Sequence, residues 1–217
     1  IKGHKMSKSK GNVVDSLTMM DRYGTDAFRF TLAAFAAQGR DVKFSEVRVE
    51  GYRHFVNKLW NAARFIMMNI ETNKNQKEIA ERGVEALNLS SRWILSRLAT
   101  ATDNINKALE EYRFNDAASE IYQFIWHEFC DWYIEMAKSD IKNPNLEMSV
   151  LRCLLYTLDN SLRLLHPFMP YVTEEIWQKI PHVRRNGEEI QDTIMISEYP
   201  KSLSRDHQAE ENMSYII

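Results

Sequence analysis

The sequence predicts a mainly all-α protein, an antiparallel helix bundle preceded by a short α/β connecting segment. Apolar residues recur every three or four positions over four long stretches, which is the spacing of a buried helix face. Short or polar links separate these stretches, as expected for neighbouring antiparallel helices. Seven glycines and five prolines in 217 residues leave few helix-breaking positions inside them.

A short helix is predicted first, over residues 17–23. Asp15 or Ser16 can cap its amino end, because short polar side chains accept hydrogen bonds from the free amides of a first turn. Gly24 suits its carboxyl end, where left-handed backbone is common.

A second short helix is predicted over residues 26–37, with Thr25 as its cap. Helical spacing indicates three inward-facing residues: Phe28, Leu32 and Phe35. Residues 41–44 follow as one short predicted strand.

The first long helix is predicted over residues 46–70, with Ser45 as its cap. Its inward-facing residues alternate in steps of three and four: Val49, Tyr52, Val56, Leu59, Ala63, Ile66 and Ile70. Residues 72–88 are polar and aperiodic, and they predict a surface connection.

Two further long helices follow. One is predicted to begin at Ser90 or Ser91 and to end near residue 112, and the next runs from Asn115 or Asp116 to near residue 138. The inward-facing residues of the first are Ile94, Leu98, Ala101, Ile105 and Leu109. Those of the second are Ile121, Ile125, Phe129, Trp132 and Met136.

The fourth long helix is predicted over residues 146–165, and Pro167 stops it. Its inward-facing residues are Leu151, Leu154, Leu158, Leu162 and Leu165. Thr173 is then predicted to cap a short helix, residues 193–196 to form a strand, and residues 205–217 to begin another helix.

Composition limits the partners that the chain can have. Lysine plus arginine number 28 and aspartate plus glutamate 30, a net charge of -2, so an RNA-binding surface has to be a local patch. Cys130 and Cys153 fall within apolar helical patterns and are predicted to be buried thiols of a reducing compartment. No apolar run approaches the length of a membrane span, and none is predicted.

One face of the first long helix is a candidate RNA contact. Beside Trp60, this face carries four residues with side-chain donors: Arg53, Asn57, Asn61 and Arg64. Arginine and asparagine suit phosphates and base edges. The alternative is an ordinary solvated face with an anchoring tryptophan.

A metal site is a weaker possibility in the third long helix. His127, Cys130 and Asp131 have spacings that allow a shared metal. No second ligand pair with zinc spacing exists, so no metal is predicted.

The segment with the most chemistry is residues 5–14, which read KMSKSKGNVV. Two ammonium groups, two hydroxyls and a glycine within a few positions suit a polyphosphate, although the spacing is not that of a Walker loop. A solvated basic tail is the alternative explanation.

These residues resemble the KMSKS signature of class I aminoacyl-tRNA synthetases. Residues 23–30 (YGTDAFRF), 128–135 (EFCDWYIE) and 165–177 (LHPFMPYVTEEIW) fit the same class. Residues 39–45 (GRDVKFS) and 50–65 (EGYRHFVNKLWNAARF) look like its valine-specific group in particular. The resemblance extends from residue 1 to about residue 200.

The resemblance implies three parts: the end of the catalytic region (1–44), a helical anticodon-binding domain (45–180) and a C-terminal extension (181–217). It also implies ATP with Mg²⁺ and L-valine as substrates of a longer cytoplasmic enzyme, and a valine-accepting tRNA as partner. Within the signature, Lys8 is expected to be the main catalytic residue and Lys5 a supporting one. The implied ATP-binding residues are Lys5, Ser7, Lys8, Ser9, Gly11 and Asn12, whereas Lys10 is expected to be solvated.

The sequence starts inside a motif and lacks the His-Ile-Gly-His signature of the class, so the chain alone is expected to be an inactive fragment. Two alternatives to the valine-specific assignment stay open. The first is an isoleucyl- or leucyl-type synthetase, and the second is a non-catalytic helical interaction module.

Overall fold

The computed structural model describes Met6 and residues 13–36, 44–73, 78–79, 87–182, 191–201 and 204–217. Every regular element within these ranges is helical, so the all-α prediction is confirmed. The strand predicted at 41–44 lies outside them apart from Phe44, which is not in a strand. No helix among the described residues combines the length and apolar content needed to cross a membrane.

The elements form in the following order. They are α1 (Ser16–Tyr23), α2 (Thr25–Phe35), α3 (Glu46–Thr72), α4 (Leu89–Glu110), α5 (Phe114–Gln123), a π segment (Phe124–Tyr133), α6 (Ile134–Asp140), α7 (Glu147–Leu165), α8 (Pro170–Trp177), a 3-10 turn (Ile194–Ile196) and α9 (His207–Ser214).

Four long helical stretches make the predicted antiparallel bundle: α3, α4, the continuous α5–π–α6 helix, and α7. Helix α7 packs against the other three, and the π segment contacts both α3 and α4. The five leucines predicted to face inward from α7 are all fully buried: Leu151, Leu154, Leu158, Leu162 and Leu165. Five of the seven predicted α3 residues are buried as well, and the other two, Tyr52 and Val56, are half-buried.

The predicted ends of α1 are confirmed. Asp15 Oδ1 accepts a hydrogen bond from the Leu17 amide at 3.2 Å, which caps the first turn. Gly24 ends the helix with φ +90°, and its amide donates to the Met20 carbonyl at 2.9 Å. A side chain at this φ would be strained, which explains the glycine.

Helix α2 differs from its prediction in two ways. Thr25 is the first helical residue and not the cap. Of the residues predicted to face inward, Phe28 is buried, but Leu32 is exposed, and Phe30 is fully buried instead. The reason is that α2 packs against α1, α3, α5 and α8 at once, so a single stripe cannot describe its buried face.

A buried carboxylate fixes α2 to α8. Asp26 accepts hydrogen bonds from the amides of Tyr171 at 3.2 Å and Val172 at 2.6 Å, and these two amides belong to the first turn of α8. Burial raises the pKa of Asp26 in spite of these two bonds. Because Pro170 already begins α8, the predicted cap at Thr173 is wrong.

The amino end of α4 was also predicted at the wrong residue. Asn88 is the cap, and its Oδ1 accepts from the Ser91 amide at 3.0 Å. Ser91 lies inside the first turn, where its hydroxyl is 2.9 Å from that of the buried Tyr133.

The π segment changes which residues of the third long helix are buried. A π-helix turns less per residue than an α-helix, so the buried positions advance by four from Phe129 to Tyr133 and again to Ala137. The prediction of Trp132 as an inward-facing residue is therefore wrong, since it lies at the surface. Met136 packs against the core only in part.

Two connections differ from their predictions. Ile79 is buried in the main core, so the link over 72–88 is not wholly a surface connection, although 74–77 and 80–86 lie outside the described residues. The strand predicted at 193–196 is the single 3-10 turn, because Thr193 Oγ1 accepts from the Met195 amide at 3.2 Å and no strand lies beside it among the described residues.

Candidate nucleic-acid interface

The four residues predicted to contact RNA lie together on the exposed face of α3. We call Arg53, Asn57, Asn61 and Arg64 the α3 row. Leu59, Ala63 and Ile66 lie on the buried face and hold the helix against the bundle. Among the described residues, no hydrogen bond or ion pair engages the four side chains of the α3 row.

The two arginines of the α3 row are separated by three helical turns. At about 1.5 Å per residue, Arg53 and Arg64 lie about 16 Å apart along the helix axis. This separation places the two guanidinium groups against different phosphates of a bound strand, while the amides of Asn57 and Asn61 lie between them. The row can therefore bind a nucleic-acid backbone at both ends and offer amide donors and acceptors to base edges between them.

The π segment borders the α3 row on one side. The Lys58 ammonium pairs with Asp131 and lies 4.0 Å from the centre of the Trp126 ring. His127 Nδ1 is 3.2 Å from Asp131 Oδ2. These contacts compensate the charge of Lys58 and fix α3 to the π segment, so the available cations of the α3 row are its two arginines.

Trp132 follows Asp131 and is a residue that sequence reasoning missed. It is 39% exposed, although its spacing predicted an inward-facing position. π segments occur frequently at functional sites because they redirect side chains. The available signal was the excess of large aromatic residues over residues 122–133, more than one buried face can hold.

Helix α8 borders the α3 row on the other side. Trp60, which is 38% exposed, lies at this edge of α3. It forms one wall of a cleft of about 640 Å³ whose other wall includes Tyr171 of α8. The exposed face of α3 is thus bordered by tryptophan-bearing surfaces on both sides.

Comparison with protein families assigns this arrangement. A family described as the anticodon-binding domain of tRNA ligase matches residues 91–217. The chain belongs to this family. A second family, tRNA synthetases class I (I, L, M and V), matches residues 1–45. The α3 row lies between the two matched stretches.

Curated relatives of this anticodon-binding chain are valine–tRNA ligases. That of Geobacter sulfurreducens is 53% identical over 203 residues, which cover 93% of this chain and 22% of the relative. Those of Syntrophotalea carbinolica and Aquifex aeolicus are 52% and 42% identical, and their alignments cover 99% of this chain. The chain spans about a fifth of the length of these relatives.

The fold of this anticodon-binding domain also occurs in a solved structure of a LeuRS. That structure is the ternary complex of Agrobacterium radiobacter K84 agnB2 LeuRS with tRNA and LeuAMS. The similarity has a TM-score of 0.66 at 19% identity and covers 96% of this chain and 23% of the LeuRS chain. At this identity the similarity concerns the fold alone.

The residues predicted to bind ATP lie within the stretch that matches the class I family. They are Lys5, Ser7, Lys8, Ser9, Gly11 and Asn12. All six are outside the described residues, whereas Met6 between them is described and exposed.

The two cysteines of this anticodon-binding chain are free and buried, as predicted. Burial raises the pKa of Cys130 to about 12 and that of Cys153 to about 11, so both remain protonated at neutral pH. His127 contacts the carboxylate of Asp131. The described part of the chain contains no group of three histidine, cysteine or acidic residues arranged to hold a metal.

Proposed function

We propose that the chain is the tRNA-binding part of an ATP-dependent ligase that joins valine to a valine-accepting tRNA. Valine–tRNA ligases at 42–53% identity support the choice of amino acid and of tRNA. Within the longer enzyme, residues 1–44 would end the catalytic region, 45–180 would form the anticodon-binding domain, and 181–217 would extend it. Its tRNA and ATP are found in the cytoplasm, which is the proposed location.

The observation that carries the proposal is the exposed α3 row without protein partners. Arg53 and Arg64 bind phosphates in this proposal, and Asn57 and Asn61 contact base edges. Exposed Trp132 on the bordering π segment offers a ring on which an unpaired base can stack. With two available cations, binding to tRNA depends only moderately on salt.

The signature residues act on ATP in the same proposal. In the longer enzyme, with Mg²⁺ bound to ATP, Lys8 stabilises the negative charge that grows on the departing pyrophosphate. Lys5 supports it, and Ser7 and Ser9 supply hydroxyl donors. Gly11 lets the loop bend, and Asn12 fixes it.

Salt-dependent tRNA binding tests the α3 row. We expect Arg53→Ala and Arg64→Ala each to weaken binding of a valine-accepting tRNA transcript and to lower the slope of log affinity against log salt by about 0.7–0.9. Asn57→Ala and Asn61→Ala should weaken binding without changing this slope, because no phosphate contact is lost. Fluorescence anisotropy between about 50 and 200 mM salt measures both quantities.

The matched control is Arg22→Ala, an exposed arginine on α1 outside the row. Its slope and affinity should equal those of the parent chain. If the folded Arg53→Ala and Arg64→Ala chains bind with the parent slope, these residues do not contact phosphates. An equal loss in Arg22→Ala would indicate nonspecific attraction.

A further inference from the structure

The cleft beside Trp60 combines apolar walls with exposure to solvent. It has a volume of about 640 Å³ and opens between α3, α8 and the 3-10 turn. Trp60 is 38% exposed, Tyr171 is 65% exposed, and Met195 is exposed on the opposite side. Large exposed apolar groups in one concave surface mark a site for a partner.

The polar edge of the cleft consists of acceptors. Glu174 Oε1 accepts from Gln178 Nε2 at 2.7 Å, and Oε2 accepts from the Thr193 hydroxyl at 2.7 Å. These two bonds fix the carboxylate, and each oxygen keeps a further lone pair for a donor. Glu175 lies beside it and pairs with Lys179 at 2.6 Å.

The cleft repels phosphate. No lysine or arginine is among the described residues that line it. His166 also lines the cleft, and burial lowers its pKa. The His166 ring is therefore largely neutral at neutral pH, and its Nδ1 lies 2.7 Å from the Thr173 hydroxyl. An occupant should be flat and uncharged and should present hydrogen-bond donors.

We propose that this cleft receives one unstacked base of the tRNA that lies along the α3 row. The base stacks on Trp60 and Tyr171, and its exocyclic amino group donates to Glu174. This inference rests on the proposed function, and it assigns the base and its phosphates to different surfaces. The arginines of the α3 row bind the phosphates, and the cleft binds the base.

Two features favour a base over a polypeptide segment. Trp60 belongs to the same exposed face of α3 as Asn57 and Arg64, so a strand on the α3 row passes the mouth of the cleft. Aromatic walls with a carboxylate edge suit an amino-bearing base, because carboxylates accept hydrogen bonds from base amino groups and aromatic rings stack on bases. Uracil lacks the amino group and should fit less well.

Fluorescence of a base analogue in the RNA tests the cleft directly. 2-Aminopurine is placed at single anticodon-loop positions of the Geobacter sulfurreducens valine-accepting tRNA transcript, and each RNA is titrated with the full 217-residue chain. At one position we expect the fluorescence to fall on binding. Tyr171→Ala should abolish this decrease and weaken binding about 5- to 100-fold without changing the salt slope, because stacking involves no ion release.

The exposed Tyr171 side chain can be removed without disturbing the core, and circular dichroism verifies folding. Tyr171→Phe should keep the fluorescence decrease, and Tyr215→Ala, an 83% exposed tyrosine outside the cleft, should change nothing. Uridine at the responsive position should weaken binding to the parent chain. If no position responds, or Tyr171→Ala leaves the response intact, the base-binding cleft is wrong. The proposed function survives that result if Arg64→Ala still lowers the salt slope, and it falls too if the slope is unchanged.

Discussion

Arg163→Met is expected to lower the free energy of unfolding by about 3–5 kcal/mol, because it leaves a buried carboxylate without its compensating charge. Arg163 Nε lies 3.1 Å from Asp159 Oδ2, and both side chains are buried in α7. Arg163 Nη1 also donates to the Glu198 carbonyl at 3.0 Å, which ties the segment after α8 to the bundle. Urea denaturation followed by circular dichroism measures the loss.

The chain offers a control with the same spacing and order of charges. Glu175 and Lys179 are also four residues apart, but both are exposed, so Lys179→Met should cost less than about 1 kcal/mol. Asp159→Asn combined with Arg163→Met should recover much of the loss, since the amide that replaces the carboxylate is uncharged and its oxygen can still accept from Trp177 Nε1. A loss below about 1 kcal/mol in Arg163→Met would show that solvent reaches Asp159.

Lys8→Gln is expected to slow adenylate formation by about 30- to 1,000-fold in a full-length enzyme, which corresponds to about 2–4 kcal/mol of transition-state stabilisation. A mobile ammonium that contacts pyrophosphate only as it departs stabilises the transition state more than bound ATP. Valine binding should therefore change little. ATP–pyrophosphate exchange measures the effect in a chimera in which this chain replaces the matching segment of the Geobacter sulfurreducens valine–tRNA ligase.

Lys10→Gln serves as the control for the same loop, because Lys10 has the same charge but is expected to be solvated. Its exchange rate should match that of the unsubstituted chimera. Equal and small effects of Lys8→Gln and Lys10→Gln would contradict the assignment of Lys8 and favour a basic tail that acts only through its net charge.

Regular periodicity explains which helices the sequence could predict. The five leucines of α7 step by three and four over a helix of ordinary geometry, and all five are buried as expected. The α5–π–α6 helix has a similar pattern in sequence, yet its π segment moves the buried positions to Tyr133 and Ala137. Local spacing does not reveal the change, because the register follows from packing against α3 and α4.

The candidate site follows the same division. The α3 row could be predicted because exposure is the complement of a strongly periodic buried face. The cleft could not, because Trp60 and Tyr171 are distant in the sequence and meet only when α8 packs on α3. Nor does spacing show that Asp159 and Arg163 are buried, since charged residues four apart on a helix usually lie in solvent.

Transcripts that differ only in the anticodon test most directly whether the α3 row reads it. The affinity of the 217-residue chain is measured for a valine-accepting tRNA and for the same RNA with an isoleucine or leucine anticodon. We predict weaker binding of the substituted RNAs by about 10-fold or more, with the difference reduced in Asn57→Ala or Asn61→Ala. Equal affinity of the parent chain for all three RNAs would contradict anticodon reading by this face.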